Sequence, residues 1–183
     1  MLRGRCLGTA TIAGVAPYQA PGLDWLAGMG PENVTEFGAA VAGEATLSEL
    51  LDSEVTGVRT VQGAQLVAEL GGLLSAPDKA ALTSEFADHM AVSMRSACSD
   101  GIAGWRDDDL AFVADWGFPL DSVGPVAVWQ GSADLMVPTA HGKWLAKHLP
   151  GARARLRRGE GHLTFMAAGL GEVLDDLIDL AGL

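Results

Sequence analysis

Two residues in the last third of the chain have the type and setting for proton-transfer chemistry. Asp134 closes the turn Gly131-Ser132-Ala133-Asp134, and His162 closes the turn Gly159-Glu160-Gly161-His162. Each turn follows a segment that reads as a strand. Gly124–Gln130 is a short apolar run, and Arg153–Arg157 alternates Arg-Ala-Arg-Leu-Arg with the period of two expected of a strand. In an open α/β sheet the ligand site lies beyond the carboxyl ends of the strands. There a carboxylate can orient and stabilise an imidazole, and the imidazole can move a proton. Alone, Asp134 reads as a turn residue and His162 as a structural cap. Together, at matching strand ends, they read as two parts of a nucleophile–His–acid triad.

Other polar groups invite chemistry less strongly. His141 reads as a surface or packing residue, and His148 suits the C-terminal end of a helix. His89 lies on the side of a helix that carries Leu82 and Phe86 and reads as packed. Asp107-Asp108-Asp109 lacks the spacing of an oxygen-ligand loop and reads as a solvated helix start, so no metal is expected. Arg153, Arg155, Arg157 and Arg158 read as the wet face of an edge strand. Gly159-x-Gly161 is too short for a dinucleotide fingerprint, and no cofactor is expected.

Helices must position the two turns. Pro138 starts one carrying Trp144, Leu145 and Leu149, which Pro150-Gly151 ends. Another begins near Leu163 with Phe165, Leu170, Val173, Leu174, Leu177 and Leu180. Strand–helix–strand–helix with short links predicts α/β architecture with a parallel sheet. Upstream, residues 18 to about 118 read as almost wholly helical. Pro31 opens a helix with Val34, Phe37, Val41, Leu47 and Leu51 near helical spacing. A second fits Val55–Leu74. Ser75-Ala76-Pro77-Asp78 has the form of a capped start for a third, with Leu82, Phe86, Met90 and Met94 on one stripe. Before all of these, Cys6–Ala16 reads as a buried strand ended by Pro17.

Composition removes several function classes. The 183 residues suffice for one domain, and 49% are apolar against 19% charged, which excludes a disordered chain. A formal charge of −11 argues against nucleic acid or an anionic membrane surface as the main partner. No apolar run approaches the ~20 residues of a membrane span. Arg3 and Arg5 ahead of the run Cys6–Val15 superficially resemble a signal peptide. Gly8, Thr9, Thr11 and Gly14 interrupt that run and no persuasive cleavage site follows, so a cytoplasmic protein is expected. Cys6 and Cys98 are too few for a disulfide framework and are expected as reduced, mostly buried thiols.

The stretch Val126-Ala-Val-Trp-Gln-Gly-Ser-Ala-Asp134-Leu-Met-Val-Pro138, followed by Arg158-Gly-Glu-Gly-His162-Leu-Thr164, resembles the C-terminal part of the α/β-hydrolase superfamily. The segments around Trp105 and Trp116 are similar to the approach to the acid strand in one bacterial subgroup. Ala10-Thr-Ile-Ala-Gly-Val-Ala-Pro17 resembles the family's sixth strand, which leads into a helical lid. The resemblance implies a partial α/β-hydrolase fold, with a short, mostly parallel sheet of about three strands, flanking helices and a lid. It divides the chain into a core strand (1–17), a lid (18–118) and a C-terminal α/β core (119–183). It also implies Asp134 as the acid and His162 as the base of an ester or amide hydrolase acting on a small, modestly apolar substrate.

The departure from the family lies at the nucleophile. Its elbow, G-x-S-x-G or a relative, has no counterpart among the nine serines: Ser48, Ser53, Ser75, Ser84, Ser93, Ser96, Ser99, Ser122 and Ser132. No oxyanion-hole segment stands out either. The nucleophile of the parent enzyme is thus open between Ser, Asp and Cys. The expectation is a fragment, inactive alone: a truncated product, a wrongly started reading frame, or one half of a split hydrolase. Its expected partner is an N-terminal hydrolase fragment or, through an exposed strand edge, a second copy of itself. The alternative is a non-catalytic helical interaction module.

Overall fold

Alternation and apolar runs resolve into one parallel sheet in the computed structural model, which describes residues 6–183. Its strands are β1 (Thr9–Ile12), β2 (Val126–Gly131) and β3 (Arg153–Arg157), ordered β1-β2-β3. Thr9 lies opposite Val126, and Ala127 opposite Arg153. Every residue of β2 is buried, as a central strand covered on both faces requires. Val126 and Val128 pack with Ala16, Leu145 and Leu149 on the face covered by α7 (Thr139–His148). Ala127 and Trp129 pack with Phe165 and Val173 on the opposite face, under α8 (Leu170–Ala181). Trp129 is 1% exposed, and truncating such a side chain to Ala costs about 3–5 kcal/mol.

The first strand is shorter than the Cys6–Ala16 expected. It ends where Ala13 takes a positive φ of 52° and Gly14 follows. Arg3 and Arg5 lie outside the described residues. Cys6 is exposed and Cys98 buried, so only the second thiol fits the buried expectation.

Between β1 and β2 runs a helical insertion: α1 (Pro31–Ala42), α2 (Glu44–Val58), α3 (Leu66–Glu69), α4 (Ala76–Ala81), α5 (Ser84–Ala97) and α6 (Ala103–Val113). Its helices break where longer ones were expected. Gly43, at φ 118°, separates α1 from α2. The expected helix Val55–Leu74 stops at Val58, and the chain restarts at Gln62, whose backbone N–H donates to Gln65 Oε1 at 2.9 Å across the next turn. The third expected helix divides at Thr83, whose Oγ1 accepts the Phe86 amide at 3.4 Å and starts α5. The expected stripe holds: Leu82 is buried, and Phe86, Met90 and Met94 pack against the same cluster. His89 is exposed rather than packed, because it sits on the outer side of α5. Among the described residues no helix is long and apolar enough to cross a membrane.

Edge strand β3 inverts the expected face. Ala154 and Leu156 point outward, while Arg153, Arg155 and Arg157 lean under α8. Arg153 and Arg155 pair with Asp176, Arg153 also with Asp179, and Arg157 with Glu172. The Arg157 guanidinium also lies 5.1 Å from the Trp129 ring centroid. The two arginines hold the Asp176 carboxyl down to about 2, the hydrogen bond from Arg155 being the largest cause.

Candidate active site

Asp134 and His162 stand on the turns that leave β2 and β3, adjacent parallel strands, so their separation is set by the sheet. Backbone hydrogen bonds stitch the turns together: the Ser132 amide donates to the Arg157 carbonyl and the Ala133 amide to the Glu160 carbonyl, each at 2.9 Å. The Gly159 amide donates to Ser132 Oγ at 2.9 Å. Gly131 permits the approach, since a Cβ there would lie 2.3 Å from the Glu160 carbonyl oxygen.

The result is a 3.0 Å contact between His162 Nδ1 and Asp134 Oδ2. Asp134 is 4% exposed, and its oxygens are surrounded by donors. Oδ1 accepts the Met136 and Val137 amides at 2.9 and 2.8 Å. Oδ2 accepts Gln130 Nε2 at 3.0 Å beside the imidazole. An acceptor so placed takes Nδ1–H of His162 and leaves Nε2 with its lone pair free for a proton. The imidazole is partly exposed, its side chain at 26%.

Gln130 is a site residue that sequence reasoning missed. Fully buried on β2, it donates from Nε2 to Asp134 and, at 2.6 Å, to the Val137 carbonyl, which fixes both ends of the acid turn. Its signal was a lone amide closing an apolar strand. Asp78 was also missed. Ser75-x-x-Asp78 looks like a capping pair, yet Ser75 makes no side-chain cap bond. Instead Asp78 accepts the Leu163 amide, next to His162, at 2.7 Å.

The remaining ionisable residues fall elsewhere. His141 is fully buried on α7 and makes its side-chain hydrogen bonds to neither Asp134 nor His162. Its Nδ1 accepts the Ala16 amide at 3.1 Å and its Nε2 meets the Trp25 carbonyl at 2.9 Å, so it is a neutral packing residue. Burial lowers its pKa. His148 is exposed and stacks on Trp144. Asp107 and Asp108 are exposed within α6, but Asp109 is buried, which corrects the solvated reading for that residue. A cavity of about 370 Å³ within the helical insertion is lined by Trp105, Met94 and Glu32, Glu36, Glu54 and Glu69, and includes neither Asp134 nor His162.

No protein-family model matches the chain, and no curated protein sequence matches it. Among solved structures, a bromoperoxidase from Bacillus anthracis, a member of the α/β-hydrolase family, superposes with a TM-score of 0.55 at 20% identity. The match covers 95% of this chain and 57% of the bromoperoxidase, so the chain spans little more than half the length of that protein. The similarity extends to the fold: a parallel α/β sheet with the arrangement of part of an α/β-hydrolase.

Proposed function

We propose that this chain carries the acid–base half of an α/β-hydrolase acting on a small ester or amide. The observation behind this reading is the 3.0 Å contact from His162 Nδ1 to the buried, fully solvated-by-protein carboxylate of Asp134. In this mechanism Asp134 fixes the Nδ1–H tautomer and stabilises the imidazolium. His162 Nε2 takes the proton of the attacking hydroxyl and returns it to the leaving group. General-base assistance of this kind contributes about 10²–10⁴ in rate.

The nucleophile and oxyanion hole come, on this reading, from a strand–elbow–helix segment outside the described residues. Two surfaces support that partner. Among the described residues β1 pairs only with β2, which leaves its other edge open for a further parallel strand. Met166, Leu170, Leu174 and Ile178 also repeat at every fourth position along the α8 side and are 38–52% exposed. An apolar stripe of that spacing suits a packed helix. The expected lid, residues 18–118, then acts as the cap over the site.

The test is treatment of the purified chain with a fluorophosphonate and an activated ester. Loss of a triad nucleophile costs about 10⁶ in turnover, so neither a mass gain nor turnover above background is expected. A mass gain confined to the native sample would overturn the assignment of the nucleophile to another segment. Supplying candidate elbow segments in trans should produce labelling that His162→Gln abolishes.

A further inference from the structure

We propose that Asp78, on α4 of the helical insertion, is a positioning residue for His162. The proposal rests on the reading of His162 as the general base. Asp78 is fully buried and its two oxygens face different donors. Oδ1 accepts the backbone N–H of Leu163 at 2.7 Å, and Oδ2 accepts the Ser75 hydroxyl at 2.6 Å. Both bonds place donors on acceptor oxygens, and the one to Leu163 reaches across 85 positions of sequence.

The carboxyl touches the histidine turn on both sides of His162. Leu163 follows it, and its side chain enters the insertion's own core with Val61, Leu66, Leu74 and Leu82. Gly161 precedes it, so close to Asp78 that a Cβ there would lie 2.2–2.4 Å from the carboxyl atoms. Rotation of the His162–Leu163 peptide would therefore break the Oδ1 bond or drive the turn into a buried carboxyl. Asp134 fixes the imidazole at Nδ1, and Asp78 fixes the backbone that carries it. Asp78 does not reach the ring, so it acts through the turn.

The experiment is NMR on the full chain, reading the His162 ring tautomer and its hydrogen-bonded Nδ1 proton, with Leu163 amide exchange measured alongside. The wild type should show an Nδ1–H tautomer with a downfield Nδ1 proton. Asp78→Ala should lose that proton signal and mix the tautomers. Asp78→Asn, which keeps an oxygen for the Leu163 amide, should retain both. Leu47→Ala loosens a different core of the insertion, one that holds no residue of the turn, and should leave the signature intact. Should Asp78→Ala not fold, Ser75→Ala decides: Leu163 exchange should rise about tenfold, the change expected for one net hydrogen bond, and the Nδ1 signal should weaken with it. An unchanged His162 signature in folded Asp78→Ala, or in Ser75→Ala with faster Leu163 exchange, overturns the positioning role alone. A wild-type chain without the Nδ1–H signal overturns the Asp134–His162 pairing and the positioning role with it.

Discussion

Replacing Asp109 by Asn should stabilise the chain, and only above acidic pH. Asp109 is 5% exposed on α6 and faces Glu36 of α1, which also accepts the Trp105 indole N–H. Burial, then a hydrogen bond with Glu36, pushes the Asp109 carboxyl up to about 8. One of its oxygens, Oδ2, is buried with no hydrogen-bond partner, so nothing there stabilises a negative charge. The sign follows from linkage. The folded chain holds a proton that the unfolded chain releases near the ordinary carboxyl value of 3.8, so stability falls as pH rises from there to about 8. At about 1.4 kcal/mol per pH unit, the cost by pH 7 has a ceiling of about 4 kcal/mol, and protein relaxation brings it nearer 2. Asn keeps a donor toward Glu36 and carries no ionisable proton. For a chain of this size the Asn variant should therefore melt about 4–8 °C above wild type at pH 8 and match it near pH 4. Tryptophan fluorescence melts from pH 4 to 9 on both proteins measure the difference. Burial also raises the Glu54 carboxyl, but both proteins share that group, so the difference isolates Asp109. A melting difference that does not change with pH would refute the reasoning.

Gly161→Ala should destabilise by about 1–3 kcal/mol, read from urea unfolding, because its Cβ must displace a fully buried carboxyl. His141→Leu strands the Ala16 amide and the Trp25 carbonyl and should cost about 2–5 kcal/mol. The depressed His141 pKa also means that wild-type stability is intact above the ordinary histidine value of 6.5 and is lost as pH falls below it, a slope the Leu variant should lack. Asp176→Asn should remove stability that the wild type has above 3.8 and loses as pH falls towards 2. Screening around the partly exposed arginines limits that contribution to about 1 kcal/mol, so acid melts of the two proteins should converge near pH 2.

The sheet and its turns were legible because each rests on local signals. An apolar run, an alternating run and two glycine-rich turns specify β2, β3 and their C-terminal ends, and the adjacency of parallel strands then brings Asp134 near His162. The helical insertion was legible as helical but not in its joints. Spacing of apolar residues carries through Gly43 and Thr83, where backbone conformation and a side-chain cap interrupt it. The Arg face of β3 was misread because alternation identifies two faces without saying which is covered. Pairing with Asp176 on α8 decides that, 21 and 23 positions away.

The buried carboxylates show why site residues resist sequence reading in an acidic chain. Asp78, Asp109, Asp134 and Asp176 are each at most 8% exposed, although burying a lone carboxylate is prohibitive. Each is accommodated differently. Asp176 has two arginines, Asp109 keeps its proton beside Glu36, and Asp78 has a backbone amide and a hydroxyl. Asp134 has two backbone amides, Gln130 and an imidazole. Three of the four solutions come from partners more than 20 positions away or from the protonation state itself, and only Asp134 has most of its donors within four positions. A carboxylate whose backbone and amide donors are local is held by its own turn and does not depend on the histidine for its position. That independence suits the role proposed for Asp134, orienting an imidazole, better than holding helices together.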